Sequence, residues 1–328
     1  MLVSRARYPR EFVDQPCLFV VYWRRLICLT RYLIIASLLG ACSTVDYYYQ
    51  SAKGQLEVIS KSETIESLLE DENISAQLKE KLKRVIEIRE YASSDLFLPE
   101  NDSYTEYANL NRPYVLWNVF AAPELSIEAK SWCFPVAGCV NYRGYFDKQK
   151  AETFAKELAE QDYDVFLGGV PAYSTLGWFS DPLLSTVIHY KDPDLAALVF
   201  HELAHQLLYV KDDTVFNESF ATTVELEGVR RWLQKNNNSD AINDVELVAR
   251  QRDRAVALML GYRDELGRIY GSENSKEWKR SQKVKTLDRL KINYHNLRQG
   301  SKLRFSFDRW FEKGINNAHL VSVSAYHD

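Results

Sequence analysis

Histidine is scarce in this chain, six in 328 residues, and so is methionine, with Met1 and Met259 the only two. Glycine and proline number 13 and 9, too few for a fibrous or low-complexity protein. A helix crossing a bilayer needs about 20 apolar residues, and the run "YLIIASLLGA" at 32–41 is half that long. No internal repeat at a solenoid period is visible. No excess of positive charge points to nucleic acid: the net charge is -4, and residues 1–41 hold six Arg but one Asp and one Glu, which leaves 35 basic against 43 acidic side chains beyond them. What remains is a globular composition, 46% hydrophobic and 26% charged, able to bury a sizeable core.

The N-terminus departs from globular sequence. Arg24, Arg25 and Arg31 precede the short apolar run, which ends in small residues directly before Cys42, in the order of a secretory signal. The tetrapeptide Leu39-Gly40-Ala41-Cys42 resembles the lipobox of bacterial lipoproteins, in which the cysteine is acylated and begins the mature chain. Ser43 behind it resembles an outer-membrane sorting signal. The expectation is therefore a signal over 1–41, a lipid anchor at Cys42, and residence at the outer membrane facing the periplasm; an ordinary cleaved signal or an uncleaved anchor is the competing reading. Residues 1 to about 23 exceed what such a signal needs, which suggests a misplaced start or an alternative start codon. In an oxidising compartment Cys133 and Cys139, separated by "FPVAG" with its Pro and Gly, read as a disulfide rather than as two free buried thiols.

Beyond residue 42 the pattern is α+β, with strands clustered in the middle third and helices on either side. Stretches 53–70 and 74–92 read as amphipathic helices, with Leu78, Leu82, Val85, Ile86 and Arg89 lining one face of the second. A catalytic core is expected over 97–230, with strands at 114–123, 139–146, at "YDVFLGGV" up to a break on Gly168-Gly169, and at 183–190. Asp147 is placed to cap a helix over 147–161. A polar linker at 234–240 leads into an antiparallel helical hairpin over 241–300, followed by a C-terminal segment, 301–328.

The stretch "LVFHELAHQLLYV" at 198–210 carries the chemistry. Asp192, Pro193 and Asp194 open a helix well by capping and dipole criteria. On that helix His201 and His205 stand one turn apart, so both imidazoles leave one face and can grip one ion, while Glu202 lies about 100° round, in reach of a water at that ion. Leu195, Leu198, Leu203 and Leu207 are assigned to the core side. Two imidazoles leave a catalytic zinc short of a ligand, and His2Glu is a standard set. Glu218, near the start of a second helix, is aimed at the pair if that helix turns back; Glu225, seven residues on, competes for the place, and Glu227 is off the face.

The string "HELAH" followed at short range by "FNESFA" is similar to zinc peptidases with a glutamate third ligand. Together with "SWCFPVAGCVNYRGYF" (131–146), "VPAYSTLGWFSDPLLST" (170–186) and "NNAHLVSVSAYHD" (316–328) it resembles one family, the bacterial predicted aminopeptidases, often lipoproteins. The resemblance covers most of 42–328. It implies a zincin-like domain with a small mixed sheet, an active-site helix and a large helical portion, zinc on His201, His205 and Glu218, and Glu202 as catalytic base. Family members continue past the terminal "YHD", so the C-terminal edge of the site is expected to be truncated. The reaction implied is zinc-dependent hydrolysis of a peptide bond in a peptide or protein substrate. Aminopeptidase action at the envelope is the first reading, a zinc endopeptidase the second, and a non-catalytic lipid-anchored binding module the third. Tyr326 is the first candidate for steadying an oxyanion, ahead of His319, His327 and Tyr173. Tyr173, Ser174, Thr175 and Leu176 read either as an edge strand able to pair with substrate or as a strand or loop with Trp178 buried.

Overall fold

The computed structural model describes residues 45–134, 138–175, 177–211, 213–299 and 307–327, with backbone alone at Ser239 and 325–327. The signal segment, Cys42, Leu176 and the side chains of Tyr326 and His327 therefore lie outside the described residues. The chain divides into two units, 1–50 and 51–328. Of the first, residues 45–50 are helical. Among the described residues no helix is long and apolar enough to cross a membrane.

The second unit is α+β. It opens with helix α1 (51–60) and continues β1 (Ser62–Thr64), α2 (Ile65–Glu70), α3 (Ala76–Ser94), β2 (Glu106–Ala108) and β3 (Leu116–Pro123). Then come β4 (Trp132–Phe134), β5 (Gly138–Val140), β6 (Arg143–Tyr145), α4 (Lys148–Ala159), β7 (Tyr163–Val170) and β8 (Leu183–Leu184). Six helices finish the chain: α5 (Asp192–Leu207), α6 (Thr214–Lys235), α7 (Ser239–Gly271), α8 (Lys276–Arg298), α9 (Asp308–Lys313) and α10 (Asn317–His327). The strands form three small sheets rather than one: β1-β2-β8, β6-β3-β7 and β4-β5. Among the described strands only β2 and β8 run parallel.

Several expected elements are cut differently, each for a local reason. The helix expected over 53–70 is broken, because Ser62–Thr64 pairs with Glu106–Ala108 and the Thr64 hydroxyl then accepts from Ser67 N to cap a new helix. The strand expected at 183–190 stops after two residues. From there Ser185, Thr186 and Val187 bond to Ala108, Pro171 and Leu184, and the turns still bury Leu183, Leu184 and Val187. The strand expected at 139–146 is two short ones with Asn141 and Tyr142 at the corner between them. β7 does not break on its glycines; a Cβ on Gly169 would lie 2.4 Å from the Tyr114 ring, so the glycine admits that ring while pairing continues. The linker at 234–240 shrinks to 236–238, where Asn237 takes a left-handed φ of 53° and the Asn238 side chain caps α7.

The core that carries the site is built on α5. Its Leu195, Ala196, Val199, Phe200, Leu203 and Ala204 are fully buried in a cluster with Leu82, Val85 and Ile88 of α3 and Ala221, Val229 and Leu233 of α6. Burying each such leucine contributes on the order of 2 kcal/mol. A Cβ on Gly228 would lie 2.9 Å from the Phe200 ring, so this glycine lets α6 approach α5 closely. A second cluster joins α7, α8, α9 and α10 around Met259, Leu266, Leu290 and Phe311. Glu265 meets Thr286 and Asn293 meets Tyr262, the crossed register of an antiparallel hairpin.

Candidate active site

Helix α5 starts one residue earlier than its sequence suggests. Lys191 is the cap residue, with no side-chain capping bond, because the Asp192 carboxylate is drawn to α3 instead: it lies 2.7 Å from Lys81 Nζ and 3.2 Å from Arg84 Nε. Pro193 and Asp194 sit in the first turn, as expected for a helix N-terminus. At the other end the helix stops at Leu207, and Leu208 is extended. Leu207 is consequently 51% exposed rather than core, and Leu208, Tyr209 and Val210 are exposed beside it.

The return to α6 is tied by a side chain that sequence reasoning missed. Asn217, 1% exposed, accepts from Val210 N at 2.7 Å and donates to Val210 O at 2.8 Å, while Asp213 caps the helix through Phe216 N. The asparagine in "NESFA" was its only signal. With the loop so closed, Glu218 faces the two histidines.

Three donor side chains converge. His201 Nε2 lies 3.2 Å from His205 Nε2, 3.5 Å from Glu218 Oε2, and Glu218 Oε1 is 3.6 Å from His205 Nε2. Among the described residues this is the group of His, Cys, Asp or Glu side chains able to hold a metal ion. Glu225 takes a different place from the one weighed for it: its Oε2 is 3.0 Å from Nδ1 of His201, on the far side of the ring. Nδ1 of His205 is buried without a hydrogen-bond partner.

Electrostatics follow from burial among carboxylates. Burial alone would lower the His201 imidazole, but its hydrogen bonds to Glu218 and Glu225 raise it to about 10. Burial and the neighbouring His201 lower His205. Burial pushes the Glu202 carboxyl up to about 7; His201 opposes the rise, and the carboxylates of Glu218 and Asp181 add to it. Burial likewise raises the Tyr142 phenol, which feels Tyr209 and Glu218 across the site.

The other sequence candidates do not form the expected substrate edge. Residues 171–175 form no strand: Ser174 Oγ and Thr175 N both donate to Asp181 Oδ2, and the segment turns rather than presenting an edge. Trp178 is 83% exposed, so it is not buried either. Tyr173 donates its hydroxyl to Gln55, and the ring packs on Phe146. His319 sits in α10 with its ring 4.3 Å from that of Phe166 and Nδ1 at 2.8 Å from Asn316 Oδ1; neither it nor Tyr173 faces the three donors. Two tyrosines were missed: Tyr142, held at the β5–β6 corner with its ring against Phe120 and its phenol in electrostatic reach of Glu218, and Tyr209, whose ring lies 6.4 Å from that of His205. The sequence signal of Tyr142, a tyrosine among many in 139–146, was indistinct. Cys133 and Cys139 are bonded, as paired positions of β4 and β5.

The chain is thus α+β, with a His-His-Glu cluster on two antiparallel helices that could hold a metal ion. The chain belongs to the family described as "Putative aminopeptidase", whose model matches residues 46–328. No curated protein and no solved structure matches it.

Proposed function

We propose that this protein is a zinc-dependent aminopeptidase of zincin-like architecture, anchored by a lipid on Cys42 at the outer membrane and facing the periplasm. The observation that carries the metal is the spacing of the donors. Tetrahedral zinc with bonds of about 2.0–2.2 Å holds its ligand atoms roughly 3.3–3.5 Å apart. His201 Nε2 and His205 Nε2 are 3.2 Å apart, the two oxygens of Glu218 lie 3.5 and 3.6 Å from them, and one ligand atom from each residue falls within 4.8 Å of the others, close enough for a single ion to draw the three together. The set is His2Glu, which leaves a fourth position for reaction.

A bound zinc supplies Lewis acidity and lowers the pKa of water held at it towards 7. The protein's own residues do the rest. His201, His205 and Glu218 bind the ion, and Glu225 fixes the ring and tautomer of His201 through Nδ1. Glu202, drawn up to about 7 by burial, takes the proton of the attacking water and hands it to the leaving amine. Tyr142 is a protonated donor at neutral pH beside Glu218, suited to the oxyanion. The family supports action on peptides at a free amino terminus. The basic segment, the short apolar run and the lipobox-like tetrapeptide support export and acylation.

One experiment tests the reading. Zinc content is measured together with cleavage of a mixed peptide library, free and N-acetylated, with Glu202→Gln as the blank. One zinc per chain and cleavage confined to free amino termini are expected. Equal cleavage of acetylated peptides makes the protein an endopeptidase, and activity surviving in Glu202→Gln removes the mechanism. Fatty-acid labelling that marks the wild type and equally marks Cys42→Ala removes the lipid anchor.

A further inference from the structure

Between His205 and Glu218 the chain shows apolar side chains to solvent. Tyr209 is 50% exposed, Val215 49%, and Leu208 and Val210 41% each. Exposed apolar groups gathered on one stretch mark a surface that meets something other than water. Tyr209 stands against the metal site itself: its ring lies 6.4 Å from that of His205, edge to face at 71°. Val215 precedes Glu218 by three residues on α6 and so neighbours it on the surface of that helix.

These side chains are displayed by a fixed backbone. Leu208 N donates to Ala204 O at 3.0 Å and closes α5. Val210 is held at both of its backbone polar groups by Asn217, its N donating at 2.7 Å and its O accepting at 2.8 Å, and that oxygen also accepts from Asp213 N at 3.3 Å. Tyr209 lies between these two anchors, so its backbone is set relative to His205 before any ligand arrives. Binding there avoids the ordering cost that a free loop would bear. The buried asparagine that turns Glu218 towards the histidines thus also fixes the stretch that carries the aromatic ring.

We infer that Tyr209 is a specificity-determining residue and that the substrates are peptides whose amino-terminal side chain is large and apolar, such as phenylalanine or leucine; this rests on the proposed peptidase reading. A Cβ lies roughly 2.5 Å from the carbonyl carbon of its own residue. A scissile carbonyl presented to His201, His205 and Glu218 therefore brings the side chain before it to the ring that packs on His205. The tyrosine offers that side chain a broad apolar face with few torsions to fix, while its hydroxyl can stay in water. Phenylalanine or leucine removes much of this surface from water, alanine leaves most of it wet, and a charged side chain has to shed its own hydration to lie there.

The test uses the full zinc-loaded chain and peptides that differ only in their first residue. Wild type is expected to cleave those beginning in phenylalanine or leucine with kcat/KM about 10- to 100-fold above those beginning in alanine, glutamate or lysine. Tyr209→Phe keeps that profile. Tyr209→Ser lowers kcat/KM for phenylalanine and leucine about tenfold more than for alanine, with zinc content and melting temperature unchanged. Trp178→Ser, at an 83% exposed ring on another turn, keeps the wild-type profile. Binding is read separately by calorimetry on zinc-loaded Glu202→Gln: the phenylalanine peptide is held about tenfold more tightly than the alanine peptide, and adding Tyr209→Ser removes the difference. Equal losses on every first residue would make Tyr209 a support for His205 and overturn the inference, as would a wild type with no preference for large apolar first residues; either result leaves the peptidase reading intact. Selective binding that depends on Tyr209, in a zinc-loaded wild type that cleaves nothing, overturns the peptidase reading alone.

Discussion

Glu225 Oε2 stands 3.0 Å from Nδ1 of His201, while Nε2 of the same ring points to His205 and Glu218. One imidazole is gripped at both nitrogens by glutamates of a single helix, seven residues apart. That spacing returns to the same helical face, which is why the sequence offers both as ligands, and the ring between them gives each a separate task. Glu225→Gln is expected to keep one zinc per chain but weaken its affinity about 10- to 100-fold, read by competition with a chelator. Loss of zinc stoichiometry as complete as in Glu218 variants would make Glu225 a ligand.

Glu218→Ala removes a donor that bridges both imidazoles, at 3.5 and 3.6 Å. Zinc stoichiometry should fall well below one per chain at micromolar metal and activity should disappear with it. A variant that retains full metal content would move the third ligand elsewhere.

How far the sequence reaches is clearest at this cluster. The His201–His205 pair was legible as a candidate metal grip because an i, i+4 spacing on a well-formed helix puts both rings on one face. Glu218 was legible as one of two candidates, but choosing between it and Glu225 needs the rotation of α6 about its axis, which the Asn217–Val210 bonds and the Gly228–Phe200 approach set. Asp192 illustrates the opposite limit. By local rules it is a cap, yet two cations more than a hundred residues away in chain order, Lys81 and Arg84, claim its carboxylate. The edge-strand reading of the segment fails at 173–175 for the same kind of reason: the buried Asp181 takes the bonds of Ser174 Oγ and Thr175 N. The long helices from 74 onward were readable; short strands, whose identity depends on a remote partner, and the helix they interrupt at 62–64 were not.

Tyr142 carries the prediction on the oxyanion. Its phenol is raised by burial and, less, by Tyr209 and Glu218, so it is a protonated donor at neutral pH within electrostatic reach of Glu218. Tyr142→Phe should lower kcat about 10- to 1,000-fold with KM and zinc content little changed. Tyr209 is half exposed and makes a useful comparison: Tyr209→Phe should cost severalfold at most. The reverse ranking would transfer the role to Tyr209.

Cys133 and Cys139 face each other across the β4–β5 ladder and are bonded. Thiol titration under denaturing conditions should find two fewer free thiols in periplasmic protein than after reduction. Equal counts before and after reduction would remove the bond.

His319 supplies a pH dependence of stability independent of the metal site. Its ring packs 4.3 Å from Phe166 and 5.3 Å from Trp310, and burial lowers it from 6.5 to about 4. Because the folded state resists the proton, the unfolded chain binds more protons between these two values. The stability tied to this residue is therefore fully present above pH 6.5, is lost as the pH falls towards 4, and changes no further below. The loss is roughly 3 kcal/mol at 1.36 kcal/mol per pKa unit. His319→Gln cannot take the proton. It should be less stable than wild type at pH 7, having lost the ring contacts, but the difference should shrink by about that amount by pH 4 when urea unfolding is followed across the range. Two stability curves that fall in parallel would mean that other groups, not His319, set the acid limit of this fold.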